Sequence, residues 1–145
     1  MTVVIAVHDD LPPEAAQVDA GLGDFNDAAA PLHEVRPLSC FARSAEGAFI
    51  GGLVGRTWGA CGEIQQLWVA AAHRGQGIAT RLVRAFEARA GERGCRAFYL
   101  ETFDFQAPGF YEKLGYRRAY ALDVYPHGIV RFTMLRQAGE GAVRA

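Results

Sequence analysis

Apolar residues recur with a helical period in the middle of the chain. Ile78, Leu82 and Phe86 follow one another every four residues, and Ala79 and Val83 widen the same stripe. Charged side chains take the remaining positions, namely Arg81, Arg84, Glu87 and Arg89. This spacing predicts an amphipathic helix that buries one face in a core.

Alternating residues and turn residues predict the other elements. We predict strands at residues 3–7, 38–43, 48–56, 63–69, 95–102, 120–124 and 129–135. A helical stretch opens at residues 12–14 and is interrupted at Gly21 and Gly23. The layout indicates one mixed α/β domain over residues 1–145, with helices on both faces of its sheet and a frayed tail from about residue 138.

Composition narrows the class of protein. A chain of 145 residues that is 50% apolar, with a formal net charge of −1, fits a globular domain and offers no electrostatic reason to bind nucleic acid or an anionic membrane. We see no export signal and no apolar run near the about 20 residues that cross a bilayer. Three cysteines without CxxC spacing predict reduced thiols in a cytoplasmic protein and no metal site.

A glycine-rich turn at residues 73–80 joins a predicted strand to the amphipathic helix. Two glycines free the backbone to curl around a ligand, and the first N–H groups of the helix can bind a phosphate. The chain has no Gly-Lys pair, which excludes a Walker A loop. Thr80 stands where a dinucleotide fingerprint needs Gly or Ala, and too little chain follows for a second nucleotide-binding half.

The turn resembles the Arg-x-x-Gly-x-Gly/Ala signature of the GNAT superfamily of acetyl-CoA-dependent N-acyltransferases. It is spelled Arg74-Gly75-Gln76-Gly77-Ile78-Ala79 in this chain. A second stretch at residues 106–116, with Pro108 in a first helical turn and Gly115 at the end, matches the "FYEKLGY" helix of that family almost letter for letter. The resemblance implies a twisted, mixed but mostly antiparallel sheet of about six to seven strands.

The resemblance also implies which residues bind acetyl-CoA. The turn residues Arg74, Gly75, Gln76, Gly77, Ile78, Ala79 and Thr80 would hold the pyrophosphate. A bulge in the central strand, mapped to Leu67, Trp68 and Val69, would free a backbone amide for the oxyanion. Gln106 would contact the pantetheine amides, and Tyr111 would stand beside the sulfur and protonate the departing thiolate.

The general base and the amine acceptor stay open at this stage. Glu63 opens the central strand, and His127 lies in a turn that could fold over the acceptor, so both are candidates for the base and for substrate binding. Glu101 and Asp104 are weaker candidates for the base. Asn26 could hydrogen-bond the acceptor or cap a helix. Polyamine, aminoglycoside, amino-acid and protein N-terminal acceptors all remain possible, and the acyl group could be longer than acetyl.

The sequence therefore predicts an enzyme that moves an acetyl group from acetyl-CoA to a primary amine in a ternary complex. The alternative is a non-catalytic acyl-CoA sensor or interaction module. Family resemblance and the apolar strand at residues 129–135, which would be prone to pairing if it lay at a sheet edge, also suggest a homodimer.

Overall fold

Residues 1–139 of the chain are described by the computed structural model. The predicted tail therefore lies outside the described residues from position 140 onward, and the Ala138 N–H donates to the Arg96 carbonyl. The chain divides into two compact units, Met1–Glu34 and Val35–Ala145.

The first unit contains helix α1, Ala15–Ala29, and a short 3-10 turn, Leu32–Glu34. The predicted strand at residues 3–7 is wrong, because this segment is fully exposed and pairs with no strand of the described chain. The predicted interruption at Gly21 and Gly23 is also wrong, since α1 runs through both. Each glycine costs a helix about 1 kcal/mol, and the alanine-rich sequence around them tolerates this cost.

The second unit is built on one sheet of six strands in the order β1-β2-β3-β4-β6-β5. The β3–β4 pair is parallel and the other pairs are antiparallel. This mixed sheet flanked by helices confirms the predicted fold class. Its strands are β1 Arg36–Arg43, β2 Phe49–Trp58, β3 Cys61–Val69, β4 Ala97–Phe103, β5 Arg117–Leu122 and β6 Arg131–Gln137. Its α-helices are α2 Ile78–Glu92 and α3 Pro108–Lys113, and 3-10 turns lie at Ala71–His73 and Pro126–Gly128.

The core of this unit lies between one face of the sheet and the helices α2 and α3. Phe86 of α2 is completely buried and fits against two glycines of the sheet. A Cβ on Gly55 would stand 2.8 Å from the Phe86 ring, and one on Gly62 would stand 3.4 Å from it. Tyr111 and Leu114 bring the α3 region into the same cluster. We call the opposite surface of the sheet the far face.

Strand β6 lies inside the sheet, where β4 and β5 pair with it on either side. The strand therefore does not lie at a sheet edge, which was the condition for its pairing with a second copy. The edge strands are β1 and β5, and each carries groups that discourage pairing: Arg36 and Pro37 on β1, and Arg117 and Arg118 on β5. The sheet edges thus give no support to a homodimer.

No helix within residues 1–139 has the length and apolar character that a bilayer crossing requires.

Candidate active site

The sheet is split between β3 and β4, and the split forms a cleft of about 680 Å³. The two strands pair over four positions, the last being Ile64 with Leu100. Beyond that pair the strands diverge, so residues 64–69 line one wall and residues 100–102 the other. Phe110 and Tyr111 of α3 also line the cleft.

The bulge in β3 lies at Gln65, because Val54 of β2 pairs with Gln66 and the next residue, Gly55, pairs with Ile64. The sequence placed the bulge slightly later, at residues 67–69. Strand register depends on pairing across the sheet, which local sequence does not reveal.

Downstream of the bulge, side chains alternate between the two faces of the sheet. Leu67 and Val69 pack toward the core, whereas Trp68 is half exposed on the far face. Any part that Trp68 plays in binding a ligand on the helical side therefore falls to its backbone.

The predicted phosphate cradle is formed as a tight turn at the start of α2. Gly75 and Gly77 both have φ of 77°, a left-handed conformation that disfavours any side chain. The first helical bond runs from the Arg81 N–H to the Gly77 carbonyl, so the N–H groups of residues 78–80 precede the helical ladder and face outward. A cavity of about 380 Å³ lies here. Most of the predicted cradle lines it, but Gln76 does not.

Arg74 ties the cradle to the central strand. Its Nε–H donates a 2.9 Å hydrogen bond to the Val69 carbonyl. Arg74 and Ala79 line both the cradle cavity and the β3–β4 cleft, as do Val69 and Phe110. The two spaces are therefore neighbours, in the order that a long ligand with a phosphate end would need.

Tyr111 is buried, and its hydroxyl forms no hydrogen bond with any described residue. Every fully enclosed side-chain nitrogen or oxygen of the described chain has a partner, so this hydroxyl is not fully enclosed, and Tyr111 lines the cleft. Burial raises the pKa of Tyr111 to about 12, which keeps the phenol protonated at neutral pH. The ring is held edge-on between Phe110 and Tyr116.

Gln106 lines the same cleft with its side-chain amide in a fixed orientation. Its Oε1 accepts a 2.7 Å hydrogen bond from the Phe103 N–H and a 3.2 Å bond from the Thr102 hydroxyl. A backbone N–H requires an acceptor, which settles which amide atom is oxygen. The Nε2 group has no acceptor among the described residues and is left as a donor.

Glu63 lies on the far face, in a smaller cleft of about 340 Å³ that it shares with Gln65 and Glu101. Its Oε1 accepts a 2.6 Å hydrogen bond from the Arg56 Nε–H. Burial, and then the neighbouring Glu63 carboxylate, raise the pKa of Tyr99. Glu101 is ion-paired with Arg131.

The other predicted residues lie elsewhere. His127 is exposed, adopts a left-handed φ of 61° and lines neither cleft nor the cradle cavity. Asn26 belongs to α1 in the first unit, where its carbonyl accepts from the Ala30 N–H at the end of the helix. Asp104 accepts a 3.2 Å bond from the Val130 N–H. Among the described residues, no group of three or more His, Cys, Asp or Glu side chains could hold a metal ion.

Glu87 was missed by the sequence interpretation, which placed it on the polar face of α2. It is buried, and its carboxylate accepts bonds from Arg84 at 2.8 Å, Arg136 at 3.3 Å and the Tyr116 hydroxyl at 2.7 Å. A signal was present, since Glu87 follows the buried Val83 by four residues. The network fixes α2 to the end of α3 and to β6.

Comparison with known proteins agrees with this architecture. The model of the acetyltransferase (GNAT) family matches residues 6–116. A blasticidin-S acetyltransferase from Streptomyces morookaense is 42% identical over 111 residues, which cover 74% of this chain and 82% of that protein.

Solved structures share the fold. An Agrobacterium tumefaciens protein described as an acetyltransferase superimposes with a TM-score of 0.78 at 29% identity, covering 93% of this chain and 99% of that one. A Bacillus anthracis protein described as a streptothricin acetyltransferase, solved with acetyl coenzyme A, gives 0.64 at 21% identity and covers 70% and 62% of the two chains. The chain belongs to the GNAT family of acetyltransferases and is an N-acetyltransferase.

Proposed function

We propose that this enzyme transfers an acetyl group from acetyl-CoA to a primary amine of a small molecule, by direct attack within a ternary complex. The observation that carries the proposal is that the phosphate cradle adjoins the split in the sheet. Tyr111 lines this split, and its hydroxyl has no hydrogen-bond partner among the described residues. A donor with a phosphate at one end and a thioester at the other suits this path.

The donor would be held mainly by backbone groups. The N–H groups of residues 78–80 and the left-handed glycines would bind the pyrophosphate. The edge of β3 that faces away from β2 would hydrogen-bond the pantetheine arm at residues 67–69, and the Gln106 Nε2 would donate to one of its carbonyls. A free N–H of the same segment would stabilise the oxyanion, since fixed donors need no reorganisation during the reaction.

Tyr111 would serve chiefly as a hydrogen-bond donor to the leaving thiolate. A phenol with a pKa of about 12 gives up its proton less readily than a thiol, whose ordinary pKa is about 8.5. The amine nitrogen forms a bond to the thioester carbonyl carbon, and the carbon–sulfur bond breaks. The nitrogen loses one proton and the departing thiolate gains one, so the reaction is balanced. Tyr111 stabilises the sulfur while that exchange is completed.

Glu63 would receive the proton from the amine through a water molecule. The carboxylate lies in the cleft on the far face that also contains Gln65, next to the bulge. His127 lies outside these clefts, so the geometry favours Glu63 of the two candidates.

The choice of acceptor is supported by the relative with 42% identity, which is a blasticidin-S acetyltransferase. We propose blasticidin S as the first acceptor to test, ahead of polyamines, aminoglycosides, amino acids and peptide N-termini. The reaction would take place in the cytoplasm, where the thiols of Cys40, Cys61 and Cys95, all free in the structure, would remain reduced.

The experiment follows thiol release from acetyl-CoA with each of these amines, and identifies the acetylated product by mass spectrometry. Calorimetry with acetyl-CoA is run in parallel. Turnover with an amine supports the proposal. Tight acetyl-CoA binding without turnover on any amine of the panel contradicts the proposed acceptor class and favours an acyl-CoA sensor.

A further inference from the structure

Three aromatic rings form a cluster on the far face of the sheet, beside the cleft. Phe41, Phe49 and Trp68 are 60%, 48% and 51% exposed. Phe49 stacks on Trp68 with the ring planes 16° apart and the centroids 6.2 Å apart, and Phe41 lies 6.0 Å from Phe49. We call these three residues the aromatic platform.

A glycine lets one ring of the platform lie close to the sheet. Gly52 of the middle strand pairs with Phe41 on one side and with Trp68 on the other. A Cβ at this position would stand 2.7 Å from the Phe41 ring, closer than atoms pack. The absence of a side chain at Gly52 thus leaves room for the Phe41 ring, which lies against the middle strand of the platform.

The platform is continuous with the candidate active site. Trp68 belongs to it and also lines the β3–β4 cleft. The phosphate cradle opens on the other side of the sheet, at the start of α2, so a bound donor would fill that side. An acceptor would approach from the far face, and the platform lies beside that approach.

Charge on this face does not favour a polycationic acceptor. The carboxylates of Glu63 and Glu101 are each ion-paired with an arginine. A third guanidinium, that of Arg43, lies 5.9 Å from the centre of the Phe49 ring. Exposed ring faces with few free carboxylates suit a planar ring better than a chain of ammonium groups.

We propose that the acceptor of this enzyme carries a planar aromatic or heteroaromatic ring that stacks on the aromatic platform while its amine reaches into the cleft. The inference rests on the proposed function and names the class of its acceptor. Stacking of this kind adds roughly 2- to 12-fold in affinity beyond the apolar area that it buries.

A matched pair of probe amines tests the proposal. Phenethylamine has a planar aromatic ring. The amine 2-cyclohexylethylamine has the same carbon skeleton, but its saturated ring is more hydrophobic and is not planar. Each is titrated into 15N-labelled protein saturated with CoA, and the indole N–H signal of Trp68 is followed by NMR, with that of Trp58 as an internal reference. We expect phenethylamine to bind at least about threefold more tightly and to shift the Trp68 signal through its ring current.

Substitutions then locate the contact. Phe49→Leu should weaken phenethylamine by about three- to tenfold and leave 2-cyclohexylethylamine nearly unchanged. Tyr120→Leu removes another exposed ring, which is 61% exposed on β5 and does not line the cleft, and should change neither amine.

Two results of the titration overturn the inference: equal or tighter binding of the cyclohexyl amine, or a Trp68 signal that neither amine moves. Light scattering gives a further test. If the molar mass of the parent protein rises with protein concentration while that of Phe49→Leu stays near that of one chain, the rings join two copies and the inference is overturned. Failure of the proposed function is separate, since it would appear as absent turnover of every amine in the acetylation panel, whether or not the probe amines bind to the CoA-saturated protein.

Discussion

The hydroxyl of Tyr116 donates a 2.7 Å hydrogen bond to the Glu87 carboxylate, and so connects the turn after α3 with the middle of α2. The Tyr116 ring meets the Tyr111 ring edge-on, with the centroids 5.8 Å apart. The Tyr116 N–H also donates to the Tyr111 carbonyl at 3.1 Å. The buried carboxylate therefore helps to set the distance between Tyr111 and the helix that begins at the phosphate cradle.

Tyr116→Phe should lower the free energy of unfolding by about 1.5–3 kcal/mol, because a hydrogen bond to a buried charge is lost while the ring stays. Urea denaturation measures the change. Arg89→Gln is the control: its pair with Glu92 is 64% and 70% exposed, and its loss should be near neutral. A Tyr116→Phe protein as stable as the parent would remove the network from the account of the fold.

Tyr111→Phe should reduce kcat by roughly 10²-fold, with little change in the affinity for acetyl-CoA or in the melting temperature. The hydroxyl has no hydrogen-bond partner among the described residues, so its removal leaves no polar group unpaired. Steady-state kinetics and calorimetry separate the two effects. An unchanged kcat would leave Tyr111 as a packing residue.

The same tyrosine predicts a loss of stability in alkali. Its pKa is raised from 10 to about 12 in the fold, so between these values the unfolded chain releases a proton that the folded chain keeps. The stabilisation is complete below pH 10 and is lost as the pH rises toward 12. Denaturation at a series of pH values should show a shallower loss in Tyr111→Phe than in the parent. Parallel curves for the two proteins would contradict the assigned shift.

Gly77→Ala should weaken CoA binding by about tenfold or more, because a methyl group would enter the space proposed for the pyrophosphate. The left-handed φ also strains alanine by about 1–2 kcal/mol, and valine, being β-branched, would be strained further. Gly47→Ala is the matched control, with φ of 87° in the β1–β2 turn and nothing within 4 Å of the added Cβ. Equal CoA affinity in both variants, measured by calorimetry, would exclude the cradle.

Gly55→Ala should destabilise the fold by about 1–3 kcal/mol through overpacking at the bulge. An added Cβ would stand 2.3 Å from the Glu63 carbonyl, which is backbone, and would also press on Phe86. Gly91→Ala, in α2 with open space around it, should be neutral or stabilising. Thermal unfolding of the pair checks the contrast.

The elements that sequence alone predicted correctly are those whose signal is local. The stripe of Ile78, Leu82 and Phe86 predicted α2, and the glycines at 75 and 77 predicted the turn before it. The motif at residues 106–116 predicted α3 and the stop at Gly115. In each case a few neighbouring residues carry the periodicity or the backbone conformation that the element needs.

The features that sequence did not predict depend on distant partners. Residues 3–7 have the composition of a strand but pair with no described strand. The bulge at Gln65 is defined by its register against Val54 and Gly55. Glu87 is buried because Arg136, 49 positions away, and Tyr116 return to it in the fold. No short window of the chain contains both halves of these relationships.

The split between β3 and β4 makes the sheet two half-sheets, β1–β3 and β4–β6–β5, that are joined directly by four residue pairs. A donor bound in the split would hydrogen-bond to the strand edges that do not pair with each other, and so would connect the two half-sheets. At a concentration one hundred times its Kd, such a ligand adds about 2.7 kcal/mol to the free energy of unfolding. Backbone amides at residues 67–69 should then exchange with solvent most slowly when CoA is bound, and the bound donor would add to the stability of the sheet itself.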